Sequence, residues 1–173
     1  MAEQVQSGEA DIGIATEAIS HYDKILWLPA YQWNRCVVVP EGHHLIKDVP
    51  LTLKKLTQYP LITYDFAFTG GSLVSSVFER EGLKPNVVLT AIDADVIKTY
   101  VGLGLGVGLL ASMAYDADRD GNLVALDAKQ LFPDSTTYVG IRRDAYLRQF
   151  AYDFIQLLAP QFDRNAVNEA LKQ

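Results

Sequence analysis

Residues 93–110 read Asp-Ala-Asp-Val-Ile-Lys-Thr-Tyr-Val-Gly-Leu-Gly-Leu-Gly-Val-Gly-Leu-Leu, and no other stretch narrows the fold as much. Val96, Ile97, Tyr100 and Val101 recur at the helical interval and share one face. Asp93 and Asp95 open the segment and Lys98 follows, the charge order that a helix dipole favours, so the two carboxylates read as cap and dipole partners rather than as an acid–base pair. Gly102, Gly104, Gly106 and Gly108 then alternate with Leu103, Leu105, Val107 and Leu109. The spacing predicts a helix over 93–101 that stops at Gly102, then a strand over 107–110 too apolar to face water. A phosphate-binding fingerprint needs strand, glycines, then helix; this order is the reverse, so the glycines are structural punctuation.

The flanking pattern alternates in the same way. Strands are expected over 36–39, 61–63, 87–90, 107–110 and 123–126, with helices over 52–58, 72–81 and 93–101 among them, which predicts an α/β sheet. Before this block, Ala2 and Val5 make one helical turn ended by Gly8, followed by strands over 11–15 and 25–28, with Pro29 marking a change of character. So short a helix cannot stand alone and reads as the tail of a longer one. After it, a strand over 136–142 leads to a helix with Tyr146, Leu147, Phe150, Phe154, Leu157 and Leu158 on one side, stopped by Pro160. A last short helix begins near Asp163.

Composition limits what such a chain can do. Its 173 residues are 49% hydrophobic and 21% charged, enough for one sizeable core or two small lobes. The formal net charge is −6, which leaves no basic face to neutralise a phosphate backbone, so this stretch is not expected to bind DNA alone. The single cysteine, Cys36, lies in the apolar run of residues 36–39, excludes an internal disulfide framework and fits a cytoplasmic protein. No apolar run reaches the ~20 residues of a membrane helix, and residues 1–6 have no signal-peptide character.

Few residues offer chemistry. Thr69-Gly-Gly-Ser72 precedes a helix with the stripe Leu73, Val74, Val77 and Phe78, so free backbone amides and hydroxyls face one loop and suit a sulfate-sized anion. The other reading is that Thr69 or Ser72 caps the helix, and the residues alone favour it. Thr16 follows the strand over 11–15, where a sheet presents ligand groups, or else caps a turn. Trp33 is either core or an indole that covers a ligand and donates its N–H. Residues 116–127 place acids at calcium-loop positions one, three, five and twelve, but no helix pair flanks them, so they read as a solvated acidic turn. His43 and His44 are adjacent in a polar loop and read as solvent-exposed. No zinc spacing, Gly-x-Ser-x-Gly elbow or other catalytic constellation is found, and no cofactor or metal is expected.

The stretch over 93–110 resembles the effector-binding domain of LysR-type transcriptional regulators, in the branch that activates cysteine regulons. The likeness extends to Gly-Glu-Ala-Asp-Ile-Gly-Ile-Ala-Thr-Glu at 8–17, Tyr-Gln-Trp-Asn-Arg at 31–35, Tyr-Pro-Leu-Ile-Thr-Tyr at 59–64, Phe-Thr-Gly at 68–70 and Tyr-Asp-Phe-Ile-Gln-Leu-Leu-Ala-Pro at 152–160. The resemblance implies an α/β, periplasmic-binding-protein type II-like fold. Its two Rossmann-like lobes are joined by crossover strands near 29–31 and 132–135, with ligand in the cleft. Residues 1–29 with 135–173 would form lobe one, truncated at its N-terminus, and residues 30–134 lobe two. A winged helix-turn-helix would precede the chain and supply all contact with promoter DNA.

The same resemblance implies a small anionic metabolite as partner, sulfate or an acetylserine, with Thr16, Trp33, Thr69 and Gly70 as ligand-binding residues. Close relatives commonly carry arginine where Gly71 stands. Also implied are control of sulfur assimilation and cysteine biosynthesis, homodimers or homotetramers, and no enzymatic activity. An incomplete lobe one is expected to leave a sheet edge or apolar face that self-association or another chain covers. The competing classes are a solute-binding receptor, which needs a signal peptide, and a small-molecule lyase, which needs a base or electrophile that Thr16, Trp33 and Thr69 do not supply.

Overall fold

The computed structural model describes residues 1–16, 22–68 and 72–172, and the chain divides into two compact units. Unit one comprises Met1–Gln32 with Ser135–Gln173, and unit two comprises Trp33–Asp134.

Unit two is built on a five-stranded sheet of β3 (Arg35–Pro40), β4 (Pro60–Tyr64), β5 (Asn86–Ala91), β6 (Val107–Ala111) and β7 (Leu123–Asp127), in the order β5-β4-β6-β3-β7. β4 runs parallel to both β5 and β6, while β3 is antiparallel to β6 and β7. Side chains alternate between two apolar layers, as a strand covered on both faces requires. Val37, Val39, Leu61, Val107 and Leu109 pack with Val74, Val77 and Phe78 of α3 (Leu73–Arg80). Cys36, Val38, Ile62 and Leu110 face Ile97 and Val101 of α4 (Ala94–Gly102). The short α2 (Leu53–Leu56), capped by Thr52, adds Leu56 to the first layer.

The glycine run explains how α4 and β6 fit. The helix ends at Gly102, as the spacing predicts, and the turn that closes it runs two residues further. The Gly104 amide donates to the Val101 carbonyl and the Leu105 amide to that of Tyr100, with Gly104 at φ +76°, a conformation that costs glycine little. A Cβ on Gly106 would stand 2.5 Å from the Pro60 carbonyl oxygen, and one on Gly108 would meet Val101 of α4 at 2.9 Å. The alternating glycines therefore bring β6 against β4 and α4 against β6. Only Ile97 and Val101 of the expected apolar face are buried; Val96 is 39% exposed.

Unit one holds a three-stranded sheet, β1 (Gly13–Ala15), β8 (Ser135–Arg142) and β2 (Ile25–Trp33), in the order β1-β8-β2, with β1 antiparallel to β8. β2 runs on through Pro29 to Trp33, beyond the expected end at residue 28; an edge strand tolerates proline because its outward N–H has no ladder partner to lose. α1 (Ala2–Ser7) buries Val5, and Gly8 closes it with φ 82°. α5 (Gln149–Leu158) and α6 (Arg164–Ala170, capped by Asp163) complete the unit.

The α5 face differs from expectation. The buried residues are Ala151, Tyr152 and Ile155, with Leu147 before the helix, whereas Phe150, Phe154 and Leu157 are 52%, 41% and 83% exposed. Apolar residues cover most of this helix, leaving only the stripe Gln149, Asp153 and Gln156 polar, so periodicity alone did not choose which apolar side packs. The aromatic stripe drew the expectation, and the side with small Ala151 is the one that packs.

Replacing Gly106 by alanine is expected to destabilise unit two by about 1–3 kcal/mol, the cost of forcing an atom against the main chain of a neighbouring strand. Gly121→Ala, whose Cβ would meet nothing nearer than 3.8 Å, should stay within about 0.5 kcal/mol. Urea unfolding distinguishes the two; equal midpoints would remove the close approach at Gly106 as a constraint.

Candidate functional site

Because β4, β5 and β6 are parallel, their carboxyl ends, Tyr64, Ala91 and Ala111, lie on one edge of the sheet of unit two. The antiparallel β3 begins at that edge, with Arg35 opposite Ala111. Loops leaving this edge are where an open α/β sheet presents ligand groups. They carry Trp33-Asn34-Arg35, the turn Asp65–Phe68, Ile92 with Asp93, and the turn Ser112–Ala114.

The edge combines apolar surface with one buried charge. Tyr64 and Phe66 stack at 5.0 Å with an interplanar angle of 10°, and Phe66, Ile92 and Met113 are exposed. Trp33 is buried, and the Arg35 guanidinium carbon lies 4.8 Å from the centroid of its ring while Arg35 itself is 5% exposed. The Ala111 amide donates to the Tyr64 hydroxyl oxygen at 3.5 Å, and the Ser112 amide donates to the Asn34 carbonyl at 2.9 Å, tying the first residues of β3 to the end of β6. Burial pushes the Tyr64 hydroxyl above its ordinary value; the Ala111 amide and Arg35 pull it down, Cys36 and Asp93 push it up. The phenol therefore stays protonated and remains a donor. Burial, with Asp127 adding to it, pushes the Cys36 thiol up to about 12, so it is a packing residue rather than a nucleophile.

The expected site residues fall as follows. Trp33 closes β2 and opens unit two at this edge. Thr16 follows β1 in unit one and is half-buried. Thr69 and Gly70 lie outside the described residues, as do Glu17 and Gly71. Ser72 caps α3: its hydroxyl accepts from the Ser75 amide and donates to the Ala67 carbonyl, which commits it to structure. Asp93 caps α4 through the Val96 amide at 3.0 Å. Arg35 and Tyr64 were not singled out from sequence. The available signal was the two-residue spacing of Arg35 from Trp33, which puts both on one side of an extended chain, and the place of Tyr64 at the end of a predicted strand.

Two other expectations change. His43 is not a free surface residue: its Nδ1 accepts from the Leu45 amide at 3.2 Å, and its ring lies 5.1 Å from that of Tyr59. The acidic turn is not wholly solvated either. Asp120 is 12% exposed and accepts from Lys98, whose ammonium sits 3.0 Å from Asp120 Oδ1, 3.0 Å from Asp95 Oδ1 and 3.0 Å from the Ala114 carbonyl. The Asp116 amide donates to the same carboxylate. A calcium ion would have to displace the ammonium. Among the described residues, no group of three His, Cys, Asp or Glu side chains could hold a metal.

Similarity to known proteins extends over the whole chain. The LysR substrate binding domain model matches residues 1–163, and the chain belongs to that family. It is 50% identical to the HTH-type transcriptional regulator SsuR of Burkholderia cenocepacia over 100% of this chain and 56% of that protein. It is 47% identical to CysB of the same organism over 99% of this chain and 55% of the relative. The chain thus spans about half the length of these relatives. The crystal structure of the cofactor-binding domain of the Cbl transcriptional regulator superposes with a TM-score of 0.90 at 38% identity, covering 98% of this chain and 75% of that one. The fold is thus the α/β, type II periplasmic-binding-like fold of LysR effector-binding domains, and the relatives are transcriptional regulators rather than enzymes. Among the described residues no helix is long and apolar enough to cross a membrane.

The Lys98–Asp120 pair gives a pH prediction. Burial opposes the Asp120 charge, but the Asp116 amide and Lys98 outweigh it and hold the carboxyl below its usual range. A carboxyl depressed in the folded state stabilises above its unfolded value of about 3.9 and loses that contribution as pH falls through the folded value. Asp120→Asn is expected to cost about 1–3 kcal/mol at neutral pH, the scale of a half-satisfied buried charge. It should also flatten the loss of stability below about pH 4. Urea midpoints identical to the wild type at both pH values would contradict this.

Proposed function

We propose that the chain senses a small anionic metabolite, sulfate or an acetylserine-type compound, for a LysR-type regulator of sulfur assimilation and cysteine biosynthesis. The observation that carries this reading is the edge of unit two: a buried guanidinium stacked on an indole, beside a protonated phenol and exposed aromatic surface, with no histidine among its described residues. Such a set suits a small anion. Kinship with regulators named SsuR, CysB and Cbl supports the metabolic assignment. Trp33, Thr69 and Gly70 of unit two and Thr16 of unit one are the proposed contacts. A ligand held by residues of both units binds one arrangement of them better than another, and that difference is what a sensor transmits.

The whole protein, in this proposal, is cytoplasmic and meets promoter DNA through a separate helix-turn-helix domain rather than this acidic stretch. It works as a homodimer or homotetramer. The exposed stripe Phe150, Phe154 and Leu157, with Ile14 46% exposed on the edge strand β1 of the same unit, is the apolar surface that supports association.

Calorimetric titration with sulfate, thiosulfate and acetylserines tests the site. Thr69→Ala should weaken binding by about fivefold, the worth of one neutral hydrogen bond; unchanged affinity removes Thr69 from it. In sedimentation velocity the wild type should associate and Phe154→Ser should shift toward monomer. A wild type that stays monomeric at high concentration would remove the oligomer.

A further inference from the structure

Helix α5 carries its charge the wrong way round for a helix that stands alone. Arg148 is its N-cap residue, makes no side-chain cap hydrogen bond and is exposed, and among the described residues no ion pair or hydrogen bond holds its guanidinium. A cation at the amino end is repelled by the positive pole of the helix dipole. The first turn holds no acid and the last turn no base, so neither pole is offset from within. Pro160, four residues after Gln156, has no N–H to give that carbonyl.

The face turned to solvent has an order of its own. The exposed Phe150, Phe154 and Leu157 follow one another at intervals of four and three residues, the spacing of a seam between two helices. Phe150 and Phe154 also wall a groove of about 300 Å³ with Asp11 and Ile12. Ile14 stands opposite Val139, which packs in the core shared by Ala151 and Ile155 of α5, so the exposed Ile14 continues the groove on the α5 side of the sheet. A ridge at helical spacing beside an apolar groove of the same unit is self-complementary: one copy offers the knob that the other takes up.

We propose that this face docks a second copy of the chain with the two α5 helices antiparallel about Phe154. Phe150 of each copy then meets Leu157 of the other, and Arg148 of each lies at the carboxyl end of the neighbouring helix. The inference rests on the reading that the chain self-associates, and adds which face does so and in which direction. The charges select the direction. Antiparallel pairing sets Arg148 beside a negative helix pole, where the Gln156 carbonyl lacks its donor; a parallel pair would set two arginines side by side. The face is one helix of 10 residues long, less than the ~800 Å² per partner of a standard interface, so the dimer is weak and exchanges its subunits.

Cysteine cross-linking in the whole chain reads the direction. Cys36 is buried and stays out of the reaction. Under mild oxidation Phe154→Cys should form a disulfide dimer. Phe150→Cys and Leu157→Cys should each stay monomeric alone, because ~10 Å of helix separates like positions in the antiparallel pair, and should cross-link when mixed. Arg148→Glu should weaken dimerisation in sedimentation equilibrium by about tenfold, two symmetric contacts each with the effect of a charge at a helix end. The same variant should raise the urea midpoint of the dilute monomer, since an acid suits its own helix end; a residue with only a structural role would move both readouts the same way. Phe150→Cys cross-linking alone as fast as in the mixture, or Arg148→Glu dimerising like the wild type, overturns the proposal. A wild type that dimerises while Phe154→Cys does not cross-link overturns it too and leaves self-association standing on another face. A monomeric wild type overturns both, and the face then has a different occupant.

Discussion

The close approach of β6 to its neighbours is the constraint on which unit two depends. Gly106 lets β6 lie beside β4 with the Pro60 carbonyl where a side chain would otherwise be, and Gly108 lets α4 sit down on β6 through Ile97 and Val101. Once those contacts form, the carboxyl ends of β4, β5 and β6 align, and β3, antiparallel to β6, must deliver Arg35 and Trp33 to the same edge. A run of glycines that closes a helix thus decides where the carboxyl edge of the sheet stands.

Two cations of unit two are held by different elements. Lys98 joins α4 to the turn before β7, satisfied by two carboxylates and a carbonyl, so its charge is consumed by the fold. Arg35 lies buried against the Trp33 ring at the carboxyl edge of the sheet.

Much of the architecture was legible in the residues. The alternation of strands and helices, the Asp93 cap, the end of α4 at Gly102, and the double apolar faces of β3 and β6 follow from spacing and composition, and the glycine run correctly argued against a nucleotide loop. Where reading failed, the cause was physical. β2 ran through Pro29 because an edge strand does not need that N–H. α5 hid its smaller face because its apolar arc is wider than one contact surface and only packing chooses within it. Asp120 left solvent for Lys98, a pairing between distant residues that no local pattern encodes. At the sheet edge, Arg35 and Tyr64 come together only when the register of β3 and β6 brings them to Ala111, which no local pattern encodes.

The most direct test of the account is where an anion binds. Crystals of the chain grown without sulfate and soaked in selenate, whose selenium marks the anion by anomalous scattering, should show a peak at the carboxyl edge of the five-stranded sheet, beside Trp33 and the loop before Ser72. A soluble acetylserine should displace it. A peak found only elsewhere, such as beside Lys98 and Asp120, or no peak at the sheet edge under conditions where calorimetry shows binding, would contradict the claim that this edge is the sensor.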